Sequence, residues 1–329
     1  MKLMYDYGEY NDKINVFLEY LIKDSFTEFM QQAKNGEIDI EKDKETFGTF
    51  FSYIQELLYY KYKSSPNNFL VFLKSIAGNL KIITVLPTNQ RKVYGMRNLQ
   101  KPQILYLNPD LKSSERLTKE ERTRLYLAHE VGHFENSKWM EKVEEYVNNQ
   151  VENGNFTKEQ AQLMYDGFSL LDEATTQDRA ENYAYWSLEK KRPNIVTYID
   201  EEIYEGEPFK TNFDFYYDLQ ESAIMFARTL RGIGKVEDDE EALRILSERA
   251  TSPDFFDNII SEYKKDGQMS NFIKIIQCMG NLKRTSYARF GKADKEYLKN
   301  QKKYLLDFKE IAESLRDYRE PLPDGDSRW

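Results

Sequence analysis

His129-Glu130-Val131-Gly132-His133 contains every histidine in the chain. The i, i+4 spacing sets both imidazoles on one face of a helix, one turn apart, where they can share a metal ion. The glutamate between them projects beside that face and can act as general base toward a water that the ion activates. Two histidines scattered at random over 329 residues would fall four apart roughly 0.6% of the time. The further requirement for Glu directly after the first makes coincidence a weak rival.

Working outward, Thr118-Lys119-Glu120-Glu121 is a capping-box signature that opens the motif helix and carries it through Leu125 to about Asn136. Upstream, the β-branched run Lys81–Leu86 is bounded by Pro87, and Gln103–Asn108 is ended by Pro109. A weaker strand falls near Arg91–Met96. Together they predict a small mixed sheet just before the motif helix. Gln103–Asn108 reads as an exposed edge, with Ile104 and Tyr106 as the residues that a substrate strand would meet. Before the sheet, apolar spacing predicts helices over about 10–34 and 43–63 and a short one ending near Ala77. After the motif, a helix over about 138–152 stops at Asn153-Gly154, Thr157-Lys158-Glu159-Gln160 caps another, and Asp172 to Lys190 is again helical. The last third is mostly helical, with breaks at Gly232–Gly234, Ser252-Pro253, Gly267 and Gly280, and its last hundred residues could form a small bundle. The tail from Arg319 reads as frayed. The fold class is α+β, mostly helical.

A formal net charge of −9 argues against a nucleic-acid partner, because phosphate contacts need a basic surface. The basic stretch Lys283, Arg284, Arg289, Lys292, Lys295, Lys299, Lys302 and Lys303 is interspersed with acids and reads as a solvated helix face. The single cysteine, Cys278, sits in an apolar run and reads as a small core residue and not as a nucleophile. The N-terminal residues carry no signal-peptide pattern, and no apolar run is long enough to span a membrane. The expected compartment is the cytoplasm, with no membrane partner; export without an N-terminal signal is also compatible with the sequence.

A catalytic zinc site needs three protein ligands and an open position. Histidine is exhausted and the cysteine is isolated, so the third ligand must be a carboxylate. Glu173 is the best choice, with Glu181, Glu144 and Asp166 as alternatives. Glu173, Ala180 and Ala184 share a helical stripe whose small residues, with Gly132 opposite, allow a close helix approach. Gln177, one turn after Glu173, can accept from a histidine Nδ1–H, and Asp178 competes for that role. An oxyanion donor must come from elsewhere: Tyr165 and Tyr217 are the candidates, beside Tyr216 and Arg228.

HExxH followed by a glutamate on a later helix resembles the gluzincin metallopeptidases, and Glu173-x-x-Thr176-Gln177-x-x-Ala180 resembles their ligand helix. Gln177 stands where that family has Asp or Asn. The run Arg124–His133, with the strand before it, is similar to the bacterial and phage ImmA/IrrE-like group, although the interval from His133 to Glu173 is longer here. The resemblance covers about residues 80–190. It implies one zinc ion on His129, His133 and Glu173, with Glu130 as base, in a cytoplasmic hydrolase acting on peptide bonds. The corresponding domain reading is an N-terminal helical region over 1–78, a zincin-like core over 79–231 and a C-terminal helical region over 232–329, whose helices could hold a protein partner. Two alternatives stand beside it: an inactive zincin-like interaction protein, and an effector or toxin protease with one protein substrate.

Overall fold

The computed structural model describes residues 3–91, 95–98, 103–113, 117–192, 208–209, 212–292 and 294–316. The tail from Arg319 lies outside them. Three helices come first: α1 (Asn11–Lys34), α2 (Ile40–Ser64) and α3 (Phe69–Asn79). α1 buries Ile14, Phe17, Leu18, Leu21, Ser25 and Phe29 along one face. The Asp39 carboxylate accepts from the Glu41 and Lys42 amides and starts α2. Phe29 stacks on Phe47 at 4.3 Å, joining the two helices.

The strands are β1 (Ile82–Val85), β2 (Gly95–Asn98) and β3 (Ile104–Leu107), in the spatial order β1-β3-β2. β3 pairs parallel with β1, Ile82 opposite Ile104, and antiparallel with β2, Gly95 opposite Leu107. Ile104 and Tyr106 therefore lie in the central strand, not at an edge. The weak segment near Arg91–Met96 supplies the neighbour that displaces β3 from the edge. The outer side of β1 is taken up by α1: the Ile83 amide donates to Ser25 Oγ at 2.9 Å, and Gln32 Nε2 donates to the Val85 carbonyl at 3.1 Å. β2 is the other edge strand.

Two long helices follow, α4 (Lys119–Glu152) and α5 (Lys158–Ser187). Both open on reciprocal caps. Glu121 Oε2 accepts from the Thr118 amide while Thr118 Oγ1 accepts from the Glu121 amide; Thr157 and Gln160 repeat the pattern. The sequence suggests a stop at Asn136-Ser137, but α4 runs through it. Asn136 is fully buried and spends its amide on side chains of α5, not on a cap. Trp139, Val143 and Val147 continue the buried stripe. The expected separate helix from Asp172 is likewise the second half of α5.

The remaining helices are α6 (Asn212–Ala227), α7 (Asp239–Arg249), α8 (Phe255–Lys265), α9 (Met269–Arg289), α10 (Glu296–Lys299) and α11 (Gln301–Arg316). Their core gathers Trp139, Phe168, Phe255, Tyr263 and Phe272, and Trp139 Nε1 donates to the Ala250 carbonyl at 2.9 Å. Cys278 is half-buried on α9, and burial pushes its thiol up to about 11, so it stays protonated at neutral pH. The basic stretch is not a solvated face throughout. Arg284 pairs with Asp166 at 2.6 Å, and Arg289 lies over the Phe209 ring and pairs with Asp218 at 3.4 Å. Their acidic partners sit on distant elements and are invisible to local charge patterning.

The chain groups into two compact units, Met1–Glu135 with Arg179–Arg192, and Asn136–Asp178 with Pro193–Trp329. The divisions fall inside α4 and α5, whereas the sequence pattern puts boundaries at 78–79 and 231–232. No described helix is long and apolar enough to cross a membrane.

Gly280 does not break α9. It is a contact point: a Cβ there would collide with the Leu163 carbonyl of α5, and a Cβ on Gly167 would collide with the Ile276 carbonyl of α9. Gly48, exposed within α2, has open space around it. Gly280→Ala and Gly167→Ala should each destabilise the fold by about 1–3 kcal/mol through overpacking. Gly48→Ala should stabilise it by roughly 0.5–1 kcal/mol through helix propensity. Urea midpoints of the three variants give the check; equal effects at Gly48 and Gly280 would contradict the close approach.

Candidate metal centre

α4 delivers the two histidines as the spacing requires. The His129 and His133 Nε2 atoms are 3.2 Å apart, with ring planes at 89°. Both residues are buried, and Glu130 is half-buried beside them. Glu173 is half-buried on α5. The ligand atoms of His129, His133 and Glu173 all lie within 4.8 Å of one another, the one such grouping of three among the described residues. The alternative carboxylates have other situations: Glu181 pairs with Arg192 at 2.6 Å, Asp166 pairs with Arg284, and Glu144 is exposed.

The helix turn after His133 is anchored by polar contacts that the motif does not reveal. Ser75 Oγ donates to the Phe134 carbonyl at 2.6 Å. Lys61 Nζ reaches both Glu135 oxygens, at 2.9 and 3.0 Å, and Arg179 Nε lies 3.1 Å from Glu135 Oε2. Arg179 Nη2 also donates to the carbonyl of Gly132, inside the motif, at 3.4 Å. Burial pulls the Lys61 ammonium's pKa down, with the Glu135 charge opposing. This triad carries one negative and two positive charges away from water.

Asn136 makes the next set of contacts. Its Nδ2 lies 2.7 Å from Asp172 Oδ1, 3.1 Å from Thr176 Oγ1 and 3.4 Å from Thr175 Oγ1. These three residues flank Glu173 on α5. Thr175 Oγ1 donates in turn to the Leu171 carbonyl at 2.7 Å. Asn136 stands three residues after His133 and so shares its side of the helix. That spacing was the available signal for its role.

Gln177 and Asp178 are buried on α5, and Ala180 and Ala184 are buried one and two turns further on. Tyr165 is exposed on α5, and Tyr217 is half-buried on α6. Arg228 is taken up by Asp239 and by the carbonyls of Val236 and Glu237. Tyr287 of α9 is a half-buried tyrosine whose phenol responds to the acidic residues of α5. Burial raises its phenol pKa, and the charges of Glu173, Asp166 and Asp172 raise it further. Nothing in the local sequence around Tyr287 marks it.

No family model, no curated protein and no solved structure matches this chain.

The triad makes asymmetric demands. Glu135→Gln leaves two buried cations without a counter-charge and should cost about 3–5 kcal/mol. Lys61→Met leaves the Arg179–Glu135 pair neutral and should cost markedly less. Chemical denaturation of both variants tests this ordering; the reverse order would contradict the assignment of Glu135 as the shared anion.

Proposed function

We propose that this chain is a zinc-dependent peptidase of gluzincin type, with His129, His133 and Glu173 as metal ligands and Glu130 as general base. The observation that carries the reading is the grouping of two imidazoles and one carboxylate within 4.8 Å. Two histidines, a carboxylate and an open fourth position make a donor set suited to catalytic zinc. The 3.2 Å between the imidazole nitrogens is close to the edge of a tetrahedron built on zinc–nitrogen bonds of 2.0–2.1 Å, about 3.3 Å. Such a pair of ring nitrogens also fits a cation better than it fits solvent.

The ion, when bound, supplies a Lewis acid for the scissile carbonyl and lowers the pKa of a water. The chain's own residues do the rest. Glu130, next to His129 on α4 and half-buried, would take the attacking water's proton and return it to the leaving amine. The Asn136 contacts to Asp172, Thr175 and Thr176 hold the Glu173 turn of α5 in register. Gln177 and Asp178, buried on that helix, are the candidates for steadying the imidazoles. Strand addition by the substrate, with β3 enclosed and β1 covered by α1, would use β2.

Glu130→Gln should keep stoichiometric zinc and lose at least about a hundredfold in kcat on a peptide substrate. Glu173→Ala should lose zinc. Metal analysis of the purified variants beside a peptide-cleavage assay reads both. Wild-type turnover in Glu130→Gln would remove the base from the mechanism, and unchanged zinc in Glu173→Ala would remove the third ligand.

A further inference from the structure

α1 is apolar on two opposite faces. Its inner face carries Ile14, Phe17, Leu18, Leu21 and Phe29 and meets α2 through Phe29 and β1 through Ser25. At about 100° per residue, Val16, Tyr20, Phe26 and Met30 fall within an arc of about 120° centred on the opposite side. All four are exposed, from 40% at Met30 to 65% at Tyr20. They are four of the nine large hydrophobic side chains exposed among the described residues, and this one helix gathers them. A helix that only roofs its own core needs a single apolar stripe. A second, contiguous one facing water is the mark of an interaction surface. The outer stripe also has charged ends: Asp12 stands in the first turn of α1 and Lys34 in its last, both exposed.

The order of these residues is complementary to itself. Laid antiparallel on a second α1 about Lys23, Val16 meets Met30, Tyr20 meets Phe26 and Asp12 meets Lys34, the members of each pair equally distant from Lys23 along the chain. Parallel pairing would set Asp12 on Asp12 and Lys34 on Lys34, and would align the two helix dipoles. Antiparallel pairing makes both end contacts attractive and opposes the dipoles. A shallow crossing of about 20° keeps the stripes together over the helix length. Lys23 lies at the two-fold axis, where its stem covers apolar surface and its ammonium can turn toward Glu19 of the other copy, one turn away. We propose that the chain forms a two-fold homodimer through antiparallel pairing of the outer faces of α1. Val16, Tyr20, Phe26 and Met30 form the apolar seam, and reciprocal Asp12–Lys34 ion pairs close its ends. The pairing uses α1 alone and is independent of the metal centre and of the peptidase reading. One helix against one helix is a small interface, so the dimer should dissociate in the range of about 1–100 µM.

Sedimentation equilibrium of the full chain at low ionic strength, over about 1–200 µM, reads the dissociation constant. The wild type should pass from monomer to dimer across that range. Tyr20→Glu combined with Phe26→Glu should stay monomeric throughout, with unchanged helix content by circular dichroism, because both side chains are exposed. Asp12→Lys should weaken the dimer at least about tenfold, since it turns two attractive contacts into two repulsive ones. Asp12→Lys combined with Lys34→Asp should return the dissociation constant to within about threefold of the wild type, because the exchange restores opposite charges across the seam. A wild type that remains monomeric at the highest concentration would overturn the proposal, as would a dimer that survives the Tyr20→Glu and Phe26→Glu changes. An Asp12→Lys dimer as tight as the wild type, or a double charge exchange as weak as the single one, would overturn the antiparallel pairing.

Discussion

The proposed metal centre draws its side chains from two helices, and one buried amide carries much of the burden of their register. Asn136 follows His133 by three residues and reaches Asp172, Thr175 and Thr176, which bracket Glu173. A slip of one residue along α5 would turn Glu173 through about 100° and strand the Asp172 carboxylate. Leaving such a group unsatisfied costs about 1–3 kcal/mol, enough to select one register over its neighbours. The preceding residue, Glu135, adds the ion pairs to Lys61 and Arg179. Consecutive positions of α4 therefore serve different partners, and the helix cannot rotate without losing both sets. Elsewhere, the approach of α5 and α9 is set by the absence of side chains at Gly167 and Gly280.

The scarcity of histidine gives the site its character. In the proposed centre both imidazoles are committed, so a third ligand has to be a carboxylate and oxyanion support cannot come from a histidine. The structure groups the Glu173 carboxylate with the two imidazoles, all three ligand atoms within 4.8 Å of one another.

Much of this was legible in the chain. The HExxH spacing, the two capping boxes and the β-branched runs are local patterns, and local patterns survive folding: His129 and His133 meet, Thr118 and Thr157 cap, and Ile82–Val85 and Ile104–Leu107 form strands. What failed depended on partners far away in sequence. Asn136-Ser137 looks like a helix stop until Asp172 is there to receive the amide. Gly280 looks like a break until α5 needs its bare backbone. Gln103–Asn108 looks like an edge until β2, the weakest of the three strands in sequence, pairs with it. The basic run on α9 looks solvated until Asp166 and Asp218 are placed against it. Asn136 carries one local signal, its spacing of three from His133, while Tyr287 carries none.

The proposal stands or falls on whether two imidazoles and one carboxylate of this chain hold a zinc ion with a position left open. X-ray absorption at the zinc edge on the purified protein addresses it directly. The spectrum should show one zinc per chain, four-coordinate, with two imidazole nitrogens at about 2.0–2.1 Å, oxygen in the remaining positions and no sulfur. A six-coordinate oxygen shell without imidazole scattering, or a folded protein that takes up no zinc, would contradict it.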